Sequence, residues 1–159
     1  MKQKVYIETS VLSYLAARSS KNKIVSAHQT VTKEWWKTES IKYELYVSEI
    51  VLREAGKGDA QAAKKRLEYI ADCSILPMKD EVLFLTENFL KLSSLPKKAA
   101  EDALHIAVAT VHRVDYLLSW NCAPIANAAI QKELSKIAIR FGYELPILCT
   151  PLELFGGTL

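Results

Sequence analysis

Short apolar runs alternate along the chain with longer stretches whose apolar residues recur at helical spacing. "KVYIE" (4–8) reads as a buried strand, and "TSVLSYLAA" (9–17) follows as a helix, with Val11, Leu12 and Leu15 on its apolar side and Thr9 or Ser10 as its cap. Residues 22–38 place Ile24, Ala27, Val31 and Trp35 on one helical face, before a second strand, "YELYVS" (43–48). "EIVLREAGKG" predicts a short helix stopped by Gly56 and Gly58. Asp59 then caps "AQAAKKRLEYIAD", with Ala63, Leu67 and Ile70 inward. "SILPM" is a third strand, and residues 79–94 repeat Val82, Leu85, Phe89 and Leu92 at helical spacing. Pro96 starts or precedes the next helix, "DYLLSW" (115–120) is a fourth strand, "NAAIQKELSKIAIRFG" a helix and "PILCT" (146–150) a fifth strand. Strands alternating with helices predict an α/β/α sandwich around a parallel sheet of about five strands.

Composition narrows this picture. The 159 residues include no Pro/Gly/Ser-rich linker, so residues 1–159 are expected to form one domain. A balance of 21 basic against 18 acidic residues leaves +3, too little to identify a nucleic-acid binder by charge alone. Cys73, Cys122 and Cys149 lie within or beside apolar runs without metal-ligand spacing, which predicts buried free thiols in a reducing compartment. The apolar run near the start, Val5 to Ile7, is too short for a signal peptide or a membrane span, so a cytoplasmic protein without membrane contact is expected.

In a parallel sheet, ligands gather beyond the carboxyl ends of the strands, where strand order reverses. Glu8 closes the first predicted strand and Asn121 follows the fourth. Asp102 stands near the start of its helix, where the positive end of the helix dipole tolerates a carboxylate, and Glu54 lies on the helix after the second strand. Three carboxylates and an amide are thereby brought toward one place. Oxygen donors of this kind suit Mg²⁺ or Mn²⁺, and such an ion can activate water against a phosphodiester. His105, three residues beyond Asp102, can hydrogen-bond a carboxylate or move protons.

These residues resemble the PIN domains, and in particular the VapC toxins of bacterial toxin–antitoxin pairs. "VYIETSVLSYL" is similar to the family's first strand and acid-Thr-Ser turn, and "EDALHIAVATVHRVDYLLSWN" to its third-acid helix and following strand. The likeness extends over nearly the whole chain. It implies a metal-dependent ribonuclease acting on RNA, a homodimer and a cognate antitoxin. By the same resemblance Glu8, Glu54, Asp102 and Asn121 fall on the four catalytic, metal-holding positions, and Ser10 and Ser119 on flanking hydroxyl positions. Two positions depart from the family's commonest pattern: the first acid is usually Asp where Glu8 stands, and the fourth is often Asp where Asn121 stands.

Each candidate also has a plainer role. Asp102 can satisfy free backbone N–H groups, Glu8 can cap a helix, and Asn121 can form a turn. Glu54 can be a solvated charge beside Arg53 or Lys57, with Glu49 taking its place in the site. His105 can be a structural histidine, and Trp35 and Trp36 read as core packing rather than RNA-stacking residues. Lys57, Lys97 and Lys98 are candidates for RNA-backbone contact. Two functions follow: a ribonuclease toxin, or a catalytically weak PIN-like module binding RNA or protein. A receiver-type phosphotransferase is disfavoured, because Glu8 stands where its nucleophilic Asp would be.

Overall fold

In the computed structural model, residues 1–121 and 127–156 are described. Among them are five strands: β1 (Lys4–Ile7), β2 (Glu44–Ser48), β3 (Ser74–Leu76), β4 (Tyr116–Leu118) and β5 (Ile147–Cys149). The helices are α1 (Thr9–Ala16), α2 (Lys23–Thr38), α3 (Glu49–Ala55), α4 (Ala60–Tyr69), α5 (Asp80–Leu92), α6 (Ala100–Val111) and α7 (Ala128–Arg140). Short 3₁₀ turns at Ser40–Lys42 and Lys97–Ala99 lead into β2 and α6.

The strands form one all-parallel sheet in the order β3-β2-β1-β4-β5. β1 lies at the centre, with Val5 beside Leu45 on one flank and Tyr116 on the other. A parallel strand needs a crossover, and right-handed crossovers put helices on opposite faces when the direction of winding reverses. Accordingly α1 packs against α2, α3 and α4, whereas α5 packs along α6 and α7. The result is the expected PIN-like three-layer α/β/α architecture. Val5, Tyr6 and Ile7 are fully buried, as are Leu117 and Leu118. Burying each large apolar side chain contributes about 1.5–3 kcal/mol, so the central strands anchor the core.

The elements agree closely with the sequence pattern, including the Asp59 cap, whose carboxylate accepts the Ala62 N–H at 3.0 Å. Several local expectations need correction. The cap of α1 is Glu8, rather than Thr9 or Ser10. On α2 the buried residues are Gln29, Thr32 and Trp35, whereas Ile24 and Ala27 are exposed and Val31 is half-buried. Long-range polar partners turn this helix: Thr32 Oγ1 accepts from Trp120 Nε1 at 2.7 Å, and Trp35 Nε1 donates to the Leu154 carbonyl at 3.0 Å. Leu67 and Leu92 lie on exposed parts of their helices. Trp36 and Tyr14 are half-buried, Trp36 edge-on to Tyr69 and Tyr14 edge-on to Trp120. Cys73 and Cys149 are free thiols but only half-buried; Cys122 lies outside the described residues. Among the described residues no helix is long and apolar enough to cross a membrane.

Candidate functional site

The winding of the sheet reverses between β1 and β4, and the chain leaving those two strands supplies Glu8 on one side and Ser119, Trp120 and Asn121 on the other. The Glu8 N–H donates to the Leu118 carbonyl at 3.0 Å, so the two exits are held side by side. A parallel sheet opens a crevice at such a reversal, and backbone pairing delivers polar groups to it.

Glu8 is 6% exposed. Its Oε2 accepts from the Ser10 N–H at 2.7 Å and from Ser119 Oγ at 3.2 Å. Ser119 Oγ also accepts the Asn121 N–H at 2.9 Å, and Ser10 Oγ accepts the Trp120 N–H at 2.8 Å. The two serines thus tie the exit of β4 to the start of α1. Asn121 Nδ2 then donates to Asp102 Oδ1 at 2.7 Å. The amide nitrogen must face the carboxylate here, because an ionised carboxylate only accepts.

Glu54, from the last turn of α3, reaches the same region. Its Oε1 accepts from Thr9 Oγ1 at 2.8 Å and from His105 Nε2 at 2.7 Å. Burial opposes its ionisation, yet the hydrogen bonds from His105 and Thr9 prevail and hold the carboxyl well below its ordinary range. Asp102 moves the other way: burial and the negative charge of Glu8, with a smaller push from Glu54, raise it despite relief from His105 and the Asn121 amide. This repulsion places Asp102 within electrostatic reach of Glu8 and of Glu54. Among the described residues, no Lys or Arg is paired with any of the three; the nearby Arg53 bonds Glu101 at 3.6 Å on the exposed rim.

The structure places the seven candidates in two hydrogen-bonded groups, Glu8, Ser10, Ser119, Asn121 and Asp102 in one and Glu54 and His105 in the other. Glu49 is exposed at the first position of α3 and takes no part in the contacts around these acids. Lys57, Lys97 and Lys98 are exposed. Sequence reasoning missed Thr9 as a Glu54 partner, although the acid-Thr-Ser turn contains it. It also missed Tyr6 and Ser48, which resemble ordinary strand residues and are reached only through His105.

The donors fit a hard divalent cation in kind, being carboxylate and carboxamide oxygens with which, among the described residues, no Lys or Arg is paired. Asp102 is engaged with Asn121, Glu8 with Ser10 and Ser119, and Glu54 with Thr9 and His105, and among the described residues no three acidic, histidine or cysteine side chains meet around a common point. A groove of about 540 Å³ lined by Leu15, Ala16, Lys33, Lys65 and Tyr69, among others, contains none of the acids.

Neither a protein-family model nor a curated protein sequence matches the chain. Nine chains of solved structures do match it. Among them is a chain of the crystal structure of VapBC2 from Rickettsia felis bound to a DNA fragment from their promoter, at 14% identity and a TM-score of 0.53. The alignment covers 93% of this chain and 98% of that one. At this identity the likeness is one of fold.

Proposed function

We propose that the protein is a Mg²⁺- or Mn²⁺-dependent endoribonuclease of the VapC-toxin kind. The observation that carries this reading is the gathering of Glu8, Glu54 and Asp102, with no paired Lys or Arg among the described residues, at the reversal point of a parallel sheet. A fold covered almost end to end by a chain of VapBC2 supports it. So does the resemblance of the segments around Glu8 and Asp102 to the VapC pattern. By that reading the partners are an RNA substrate, a cognate antitoxin and a second copy of the chain in a homodimer, all in the cytoplasm.

Glu8, Glu54 and Asp102 would hold the ion, with the Asn121 carboxamide oxygen as a neutral fourth donor. When bound, the ion supplies an acidified water and charge stabilisation at the phosphoryl oxygens. The chain's own part is positioning. Ser10 and Ser119 hold one oxygen of Glu8, Thr9 and His105 hold one oxygen of Glu54, and Asn121 orients Asp102.

The test is cleavage of structured and single-stranded RNA in Mg²⁺, Mn²⁺ and EDTA by wild type and Asp102→Asn protein. Cleavage that needs the metal and is lost in the variant is expected. Cleavage equal in both proteins and indifferent to EDTA would mark a contaminant and favour the second reading, a PIN-like RNA- or protein-binding module with weak catalysis. That alternative draws on Asn121 in the fourth position and on acids engaged separately with Ser, Thr, His and Asn groups instead of around a common centre.

A further inference from the structure

Behind Glu54 runs a chain of buried polar groups that hydrophobic burial alone does not require. Tyr6 and Ser48 are fully buried and His105 is 1% exposed. Tyr6 OH lies 2.7 Å from Ser48 Oγ and 2.7 Å from His105 Nδ1, while His105 Nε2 lies 2.7 Å from Glu54 Oε1. These four residues come from β1, β2, α6 and α3. A phenylalanine at position 6 would fill the same core without needing a polar partner.

The acid end fixes the first donor. An ionised Glu54 only accepts, so His105 Nε2 carries a proton and donates. When the ring is uncharged, Nδ1 accepts and Tyr6 donates its O–H to it. The Tyr6 oxygen is left to accept from Ser48, whose Oγ itself accepts the Val51 N–H at 3.5 Å. In that form every hydrogen bond points toward the acid. Its Oε1 receives this bond and the one from Thr9 together, which sets the rotation of the carboxylate.

The geometry points to Tyr6 and Ser48 as positioning residues that act through His105, selecting its Nε2–H tautomer and so fixing the Glu54 carboxylate for metal binding. The tautomer selection stands on the hydrogen-bond pattern; the consequence for the metal rests on the proposed nuclease site. Outer-shell partners of this type change metal affinity by about tenfold or more when removed.

The test uses metal-free protein with ¹⁵N-labelled histidine, the His105 signal being assigned by its loss in His105→Gln. Wild type should show the Nε2–H tautomer with a slowly exchanging ring proton. Tyr6→Phe, checked for an intact fold, should speed that exchange about fivefold, the size expected from one lost hydrogen bond. It should also weaken Mn²⁺ binding, measured by calorimetry, about tenfold. Ser48→Ala should change both less, because Tyr6 can still donate to His105. A wild-type ring protonated on Nδ1 alone, or on both nitrogens, would overturn the inference, as would unchanged exchange or unchanged Mn²⁺ affinity in Tyr6→Phe. If wild type bound no Mn²⁺, the nuclease reading would fall, and the tautomer selection would be judged by exchange alone.

Discussion

Asp102 and Asp115 stand at opposite ends of the same sheet and are used in opposite ways. Asp115, at the amino end, is exposed; its Oδ2 accepts the Lys4 N–H at 2.7 Å while its own N–H donates to the Lys4 carbonyl at 2.9 Å. It is a carboxylate stitching β4 to β1, with Arg113 and Glu144 on the same surface depression. Asp102 is half-buried, pushed upward by burial and by Glu8, and its side-chain partner is the neutral amide of Asn121. One acid is satisfied by the backbone; the other sits in a negative field that His105 and the Asn121 amide offset only in part. An arrangement that stores like-charge repulsion lowers stability unless something else binds, and it separates a binding site from a structural one.

The largest expected effect tests that contrast directly. Asp102→Asn should lower metal-dependent RNA cleavage by about 10²–10³-fold, the scale of losing a main electrostatic contact to a reacting group. Asp115→Ala should leave turnover per folded molecule unchanged and instead lower stability by about 0.5–1.5 kcal/mol for its lost hydrogen bond. Denaturant titration beside the cleavage assay reads both, and a comparable loss of turnover in the two variants would erase the distinction.

Next in size is an inversion of melting order. In EDTA, Asp102→Asn should melt above wild type, because one of three repelling charges is gone while an Asn oxygen can still accept from Asn121. With Mn²⁺ at about a hundred times its dissociation constant, wild type should gain about 2.7 kcal/mol and overtake the variant. Scanning calorimetry under both conditions would show the crossing; an equal Mn²⁺ shift in both proteins would place the ion elsewhere.

Asn121→Asp sharpens the comparison from the other side. It adds a fourth charge beside Asp102, so melting in EDTA should fall, whereas Mn²⁺ should restore it and cleavage should hold or rise. A fall in cleavage with correct folding would mean that the neutral amide, through its bond to Asp102, is the needed form.

A smaller effect concerns Glu39, whose carboxyl is held below its ordinary value by hydrogen bonds from the Lys42 ammonium and the Gly156 N–H. A depressed carboxyl adds stability that is complete above its unfolded-state value and is lost as pH falls through its folded-state value. The stability difference between wild type and Glu39→Gln should accordingly be present near neutrality and vanish in acid, below the ordinary carboxylate range. A difference independent of pH would leave hydrogen bonding without charge as the explanation.

The layers and the sheet were legible because strand runs such as "KVYIE" and helical repeats such as Val82, Leu85 and Phe89 are local signals. Polar residues at strand ends were legible too, since the carboxyl-end rule needs only strand order and direction. The face of α2 was not: Thr32 is drawn inward by Trp120, and Gln29 by Arg18 and Ser20, partners that periodicity does not register. Tyr6 was illegible for a related reason. On β1 it counts as one more apolar residue, and its hydroxyl acquires meaning only when α6 brings His105 against it.

Placing β1 at the centre of the sheet also sets when the acid cluster comes into being. Glu8 meets Ser119 across 111 residues of chain, and β1 has no neighbour on one side until β4 has been synthesised. Contacts of such high order form late and slowly, because a long loop must close before they stabilise anything. A nascent polypeptide still short of residue 121 therefore has no assembled site, and any activity the site supports is withheld from the ribosome that is making it.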